Sequence, residues 1–131
     1  MIGELATRYA SAASVRHMLR KSFARPERMP GDALLRGAAQ EIRSGRRDLL
    51  RVERAVRWAD TERDLPLVRC PALILWGDRD RYFPVRLLPR FTGRMPAVDA
   101  RVLTGCGHSP HDDCPERVDP LLTRFLEEHD A

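Results

Sequence analysis

Apolar positions along the first sixty residues fall at helical spacing, and beyond residue 65 they gather into short unbroken runs. In the first stretch Leu5, Tyr9, Ala12, Val15, Leu19 and Phe23 share one helical face, with Arg8, Arg16 and Arg20 off it. The spacing predicts a helix over 3–23, ended at Arg25-Pro26, because the residue before a proline avoids the helical region. A second helix is predicted from Pro30, which suits a first helical position, with Leu34, Ala38 and Ile42 inward and Ser44-Gly45 at its end. A third is predicted over 46–59, with Leu49, Val52, Val56 and Ala59 inward. Stripes like these are ordinarily core, so the three helices by themselves carry no function.

From Leu65 the pattern changes. After an irregular lead-in through Pro71, the residues Ala72-Leu73-Ile74-Leu75-Trp76 are apolar without alternation and stop at Gly77. Such a run predicts a strand buried on both faces. A helix is predicted over 84–94, disturbed by Pro89, then a strand over 100–103 and a Gly105-Cys106-Gly107 turn. The last helix is predicted over 115–128, with Val118, Leu121, Leu122, Phe125 and Leu126 inward and Pro120 kinking it or delaying its start. Strand–helix–strand–helix at these lengths is a βαβα unit with two parallel strands. The expected fold class is therefore α/β, divided into a helical segment 1–64 and a strand-bearing segment 65–131. Two parallel strands cannot bury their own faces and edges, so the pattern asks for more sheet than these residues hold.

Composition narrows the picture. With 43% hydrophobic and 32% charged residues among 131, the chain reads as one soluble globular protein. No apolar run approaches the ~18 residues that span a bilayer. The first ten residues lack a basic stretch followed by an apolar one, so no signal peptide and no membrane partner are expected, and the cytoplasm is the expected location. Residues 1–70 hold 15 Lys and Arg against 9 Asp and Glu, and residues 71–131 hold 8 against 10. A basic half can bind nucleic acid, but here the arginines alternate with acids and lack interleaved aromatics, so solvated helix faces and no nucleic-acid partner are expected. Three cysteines, an odd number in a leaderless chain, argue against a disulfide framework.

Chemistry gathers in two loops. Gly77-Asp78-Arg79-Asp80-Arg81-Tyr82-Phe83 follows the first strand, and Gly105-Cys106-Gly107-His108-Ser109-Pro110-His111 follows the second. In an open α/β sheet, function collects at the carboxyl ends of the strands. A carboxylate and an imidazole placed there can bond, which fixes the ring tautomer and leaves the second nitrogen free as a base. Taken alone, the position of Asp80 is better explained as a turn acid ahead of Pro84. Trp76 reads as core or as a wall at the sheet end, and His111 as structural. Tyr82 and Phe83 either line a pocket mouth, as substrate contacts, or pack beneath the helices. Cys106, His108, His111 and Cys114 are zinc-ligand types, but their spacing is no usual finger pattern and Pro110 restricts it, so no metal and no cofactor are expected.

The segment from Pro71 to Asp80, with Pro84-Val85 after it, resembles the acid-bearing strand and loop of the α/β-hydrolases. The segment from Gly105 to His111, followed by Pro115-Glu116-Arg117-Val118, resembles that family's histidine loop and final helix. The resemblance implies a partial α/β-hydrolase fold with a helical cap over 1–64. It implies Asp80 as the triad acid, in preference to Asp78, and His108 as the base. It further implies hydrolysis of a small ester, epoxide, carbon–halogen or carbon–carbon substrate in the complete enzyme. The family's nucleophile precedes the acid, on a glycine-flanked strand-to-helix elbow. None of Ser11, Ser14, Ser22, Ser44 and Ser109 lies between such glycines or follows a strand. The chain alone is therefore expected to be inactive, and either a complementing chain or self-association through the open sheet edge is expected. The alternative is a non-catalytic remnant or interaction module that pairs through that edge. Cys114, where an acidic helix cap would be usual, and Pro120 are smaller departures.

Overall fold

Ser11 breaks what the apolar spacing joins. The computed structural model describes residues 7–129, and the part of the expected first helix before Thr7 lies outside them. Thr7 and Arg8 are helical, the chain opens at Ala10, and a new helix α1 runs over Ala12–Leu19. Ser11 caps it: its hydroxyl accepts from the Ser14 amide, and the Ser14 hydroxyl accepts from the Ser11 amide. Reciprocal capping satisfies two helix-end donors at once, which outweighs continuing the helix through residues 9–11. The single helix over 3–23 is thus corrected to a broken one. Tyr9, expected inward, is exposed, whereas Val15 and Phe23 are buried.

Helix α2 spans Asp32–Ser44 and packs on α1. Its inward stripe is Leu35 and Ala39, with Ile42 half-buried, so the expected Leu34–Ala38–Ile42 stripe is rotated by one residue. Helix α3 spans Arg46–Ala55, and the chain is extended at Val56 and Arg57 before α4, Trp58–Asp64, begins. The single helix expected over 46–59 is therefore two. The apolar residues of α3 that were expected inward, Leu49 and Val52, are exposed, as is Val56. Ala10, Val15, Leu35 and Ala39 make one core cluster, closed by Ala12, Leu19 and Ile42.

A 3-10 turn at Leu65–Leu67 leads into strand β1, Ala72–Gly77. After it come a 3-10 turn at Val85–Leu87 and helix α5, Leu88–Thr92, where one helix over 84–94 was expected. Pro89 sits in the first turn of α5, where its missing N–H costs nothing. Strand β2, Val98–Leu103, begins two residues before the expected start. β1 and β2 pair in parallel, with Ala72 opposite Val98 and Gly77 opposite Leu103. A one-turn helix α6, Pro110–Asp113, precedes α7, Pro115–His129, which starts on time and carries Pro120 within it.

Leu103, Cys106, Cys114 and Val118 form a second core cluster, with Leu75 and Leu121 against it. Burial on β1 is less than its unbroken apolar run predicts: residues 72–76 are half-buried and only Gly77 is buried. The sheet has two strands among the described residues, so one edge and parts of both faces of β1 stay open. Leu122 and Leu126 of α7, expected inward, are exposed along the same opening. Among the described residues no helix is long and apolar enough to cross a membrane.

Candidate active site

The parallel register sets the site. Because Gly77 lies opposite Leu103, the loops after both strands leave the sheet side by side. A side chain at Gly77 would meet the Cys106 and Gly107 carbonyl oxygens at 2.2 Å, so only glycine lets the second loop cross the end of β1. The Asp78 amide donates to the Leu103 carbonyl and the Arg79 amide to that of Cys106. Asp78 turns its carboxylate onto the Gly105 amide at 2.7 Å. The rival acid is thus a tie between the two loops.

Asp80 points the other way. Its Oδ1 accepts from the Tyr82 and Phe83 amides, each at 2.8 Å, and its Oδ2 lies 2.9 Å from His108 Nδ1. The carboxylate is 6% exposed and the imidazole 35%. Two backbone donors fix the acid's rotamer, and the acid in turn fixes the ring through Nδ1. The opposite nitrogen, Nε2, is left to exchange a proton with whatever occupies the space before it. His108 is seated from behind as well, since its amide donates to the Ser22 carbonyl at 2.7 Å.

Aromatic rings enclose the imidazole. The Tyr82 and Phe83 ring centroids lie 5.1 and 5.3 Å from that of His108. The Tyr82 hydroxyl donates to the Met18 carbonyl at 2.6 Å, so this ring also bridges to α1, while Phe83 stays more than half exposed. Tyr82 thus lies beside the imidazole and also packs on the helices, and Phe83 borders a cavity. That cavity, of about 380 Å³, is lined by Trp58, Trp76, Phe83, Leu87, Arg90 and Phe91. Trp76 serves as a wall there, its indole N–H donating to the Phe83 carbonyl at 2.8 Å. Arg90 lies over the Trp58 ring and pairs with Glu62, joining α4 to α5. The Arg90 and Arg94 guanidiniums hold the Glu62 carboxyl below its ordinary range, chiefly through the Arg90 hydrogen bond.

Two features of the histidine loop depart from the sequence reading, and the first corrects the expectation of no disulfide. Cys106 and Cys114, both wholly buried, are joined in a disulfide across a separation of eight residues, with Cys70 left free and exposed. The Gly105–Gly107 turn and α6 fold the loop back on itself, and this brings the two cysteines together; the odd count carried no information about that. The bond also takes both sulfurs out of the zinc quartet considered above, and His111 is exposed beside Asp112. The second feature is Asp113, wholly buried, whose carboxylate accepts the amides of Gly107, Ala24 and Arg25 at 2.7, 2.9 and 2.9 Å. Its only sequence signal was an acid within the first turn of a short helix after the histidine loop.

The alpha/beta hydrolase family's sequence model matches residues 2–121. A 2-hydroxy-6-oxononadienedioate/2-hydroxy-6-oxononatrienedioate hydrolase of Burkholderia vietnamiensis (strain G4 / LMG 22486) is 34% identical over 59 residues, 45% of this chain and 20% of that protein. Among solved structures, a membrane phospholipase A described as a bacterial virulence factor superposes with a TM-score of 0.74 at 21% identity, covering 98% of this chain and 41% of its own. The 2-hydroxy-6-oxo-6-phenylhexa-2,4-dienoate hydrolase of Rhodococcus sp. strain RHA1 superposes with a TM-score of 0.71 at 17% identity, covering 95% and 47%. At those identities the two structures speak for the fold. The chain spans about a fifth of the curated relative it matches and less than half of either solved chain.

Proposed function

The chain belongs to the alpha/beta hydrolase family, and from that premise we propose that it supplies the acid and base of a hydrolase, Asp80 and His108, to a nucleophile carried on residues outside these 131. The observation that carries this is the 2.9 Å contact between His108 Nδ1 and Asp80 Oδ2, at the carboxyl ends of two adjacent parallel strands. In the reaction His108 Nε2 takes the proton of the nucleophile as it attacks. The buried carboxylate of Asp80 stabilises the imidazolium that forms, and His108 then returns the proton to the leaving group and activates the water that completes hydrolysis. Tyr82 and Phe83 form the wall the substrate meets beside the base. The cavity beyond Phe83 is lined by apolar and aromatic groups with Arg90 as the one charged side chain among the described residues, which suits a small, largely apolar acyl or ring portion.

The proposed substrate is a small ester, epoxide or related compound. The curated relatives named as 2-hydroxy-6-oxononadienedioate/2-hydroxy-6-oxononatrienedioate hydrolases add an acid of that kind as a candidate substrate. The partner is the segment that brings the nucleophile and the remaining strands, docked on the open edge of β1. A second reading has its own observation. A largely apolar groove of about 390 Å³ between β1 and α7 is lined mainly by Leu73, Leu75, Val118, Leu122, Phe125 and Leu126, with Pro110 and His111 also on its wall. A non-catalytic module pairing through that edge and groove would bury the same surface.

A chromogenic short-chain ester distinguishes these readings. The purified chain is expected to show no turnover above background. Refolded or co-expressed with a nucleophile-bearing N-terminal half from a relative, it is expected to turn over, and His108→Ala should lower that rate by about four powers of ten or more. Turnover by the chain alone that vanishes in His108→Ala would overturn the placement of the nucleophile. Turnover by the complemented enzyme that survives His108→Ala would overturn the acid–base pair.

A further inference from the structure

We infer that Asp113 is a positioning residue for His108, acting through the strap of chain at residues 22–25 that joins the helices to the histidine loop. This inference rests on the reading of His108 as the base. The strap lies against the loop so closely that a side chain at Gly107 would meet the Ser22 carbonyl oxygen at 2.2 Å and the Ala24 nitrogen at 2.8 Å. Ser22 and Phe23 of the strap are themselves buried. The Ser22 carbonyl accepts the His108 amide at 2.7 Å and the Ser109 amide at 3.4 Å. Asp113 closes the arrangement from below: Oδ2 takes the Gly107 and Ala24 amides together, and Oδ1 takes that of Arg25. Outside it, the Arg25 guanidinium bonds Glu116 at 2.6 Å.

One buried carboxylate therefore gathers donors from the residue before the base and from two residues of the helical segment. A wholly buried carboxylate is costly unless its oxygens are bonded, and three backbone amides meet that need only while strap and loop stay together. The strap and the loop are thus one body, and the height of His108 over Asp80 is set by where the strap lies. A shift of the helices at residues 22–25 reaches the base directly, without passing through the sheet.

Proton and amide NMR on the intact chain tests this. In the wild type, a far-downfield Nδ1–H resonance of His108 is expected, absent in His108→Ala and in Asp80→Asn. In Asp113→Asn, the amide group turns an NH2 toward backbone N–H donors. The downfield resonance is then expected to vanish. Exchange at Gly107, His108, Ala24 and Arg25 should speed up by tenfold or more beyond any change at Ile74 of β1, whose amide faces β2 in the parallel ladder, the readout that a merely structural loss would move equally. Asp112→Asn, at an exposed neighbour, should change neither. Should Asp113→Asn not fold, wild-type exchange still decides: those four amides should open together within about threefold of one another. Retained protection and resonance in Asp113→Asn, or strap amides exchanging more than tenfold faster than Gly107 and His108, would overturn the joint. A wild type with the four amides co-protected but no downfield resonance would instead overturn the acid–base pair and leave the joint standing.

Discussion

Asp78 and Asp80 differ by two positions and point to opposite tasks. Asp78 holds the Gly105 amide, and an asparagine there keeps an oxygen able to accept that bond. Asp80 must face an imidazole N–H while its other oxygen holds two amides, and asparagine at that site leaves the ring free to take the wrong tautomer. In the complemented enzyme, Asp80→Asn is therefore expected to lower kcat by about four powers of ten. Asp78→Asn should cost about tenfold or less, so the ratio of the two rates identifies the acid. Gly107 makes a different demand. Gly107→Ala drives a methyl into the Ser22 carbonyl, where the only relief is withdrawal of the strap. A loss of about 3 kcal/mol of unfolding free energy is expected, read from urea melts, at the upper end of what overpacking costs.

At the scale of elements, the histidine loop and the α4–α5 contact are held by different physics. The loop carries a covalent tie between Cys106 and Cys114, which restricts a short loop in the unfolded chain. Replacing both cysteines by alanine, or adding a dithiol reductant, should lower stability by about 2–3 kcal/mol, measured by thermal or urea unfolding. No change on reduction would mean the bond is not formed in solution. The α4–α5 contact rests on Glu62 between Arg90 and Arg94, with the Trp58 and Phe91 rings meeting edge to face at 5.1 Å. The Glu62 carboxyl titrates below its ordinary 4.5, first because of the hydrogen bond from Arg90. A depressed carboxyl stabilises the fold above its unfolded value and loses that contribution as pH falls through the folded one. The Trp58 environment, followed by fluorescence, should therefore loosen below about pH 4.5 in the wild type. Glu62→Gln should remove that acid dependence, and salt should weaken the wild-type contact at neutral pH, since the pair is partly open to solvent.

For the whole molecule, the governing fact is the open side of β1. Five apolar residues in a row predict burial on both faces, and a second strand with short stretches of helix against it supplies only part of it. Exposed apolar surface and unpaired strand donors favour association. Light scattering coupled to size exclusion is expected to show concentration-dependent self-association, or a stable complex with the complementing half. Leu122→Lys, at an already exposed position of the groove, should abolish either without unfolding the chain. A strict monomer that also fails to bind a nucleophile-bearing half would count against the edge as an interface.

The sequence alone determined the parts that local physics controls. The unbroken apolar run before Gly77 and the shorter stretch ending at Leu103 placed two parallel strands, glycines after them marked where the chain turns, and the resemblance to the hydrolase loops, rather than the residue types alone, singled out Asp80 and His108. Helix boundaries were less legible. The apolar stripe continued past Ser11 and past Val56, and neither the capping of α1 nor the extended residues before α4 interrupts that period. Only the tertiary structure decided what depends on residues far apart meeting. Ala24 and Arg25 reach Asp113 across almost ninety positions. Cys106 finds Cys114 once its loop has folded back. Tyr82 reaches back to Met18 of α1. Each of these contacts satisfies a polar or reactive group whose partner no local spacing specifies, because hydrogen bonds and disulfides depend on distance in space and the sequence records only distance along the chain.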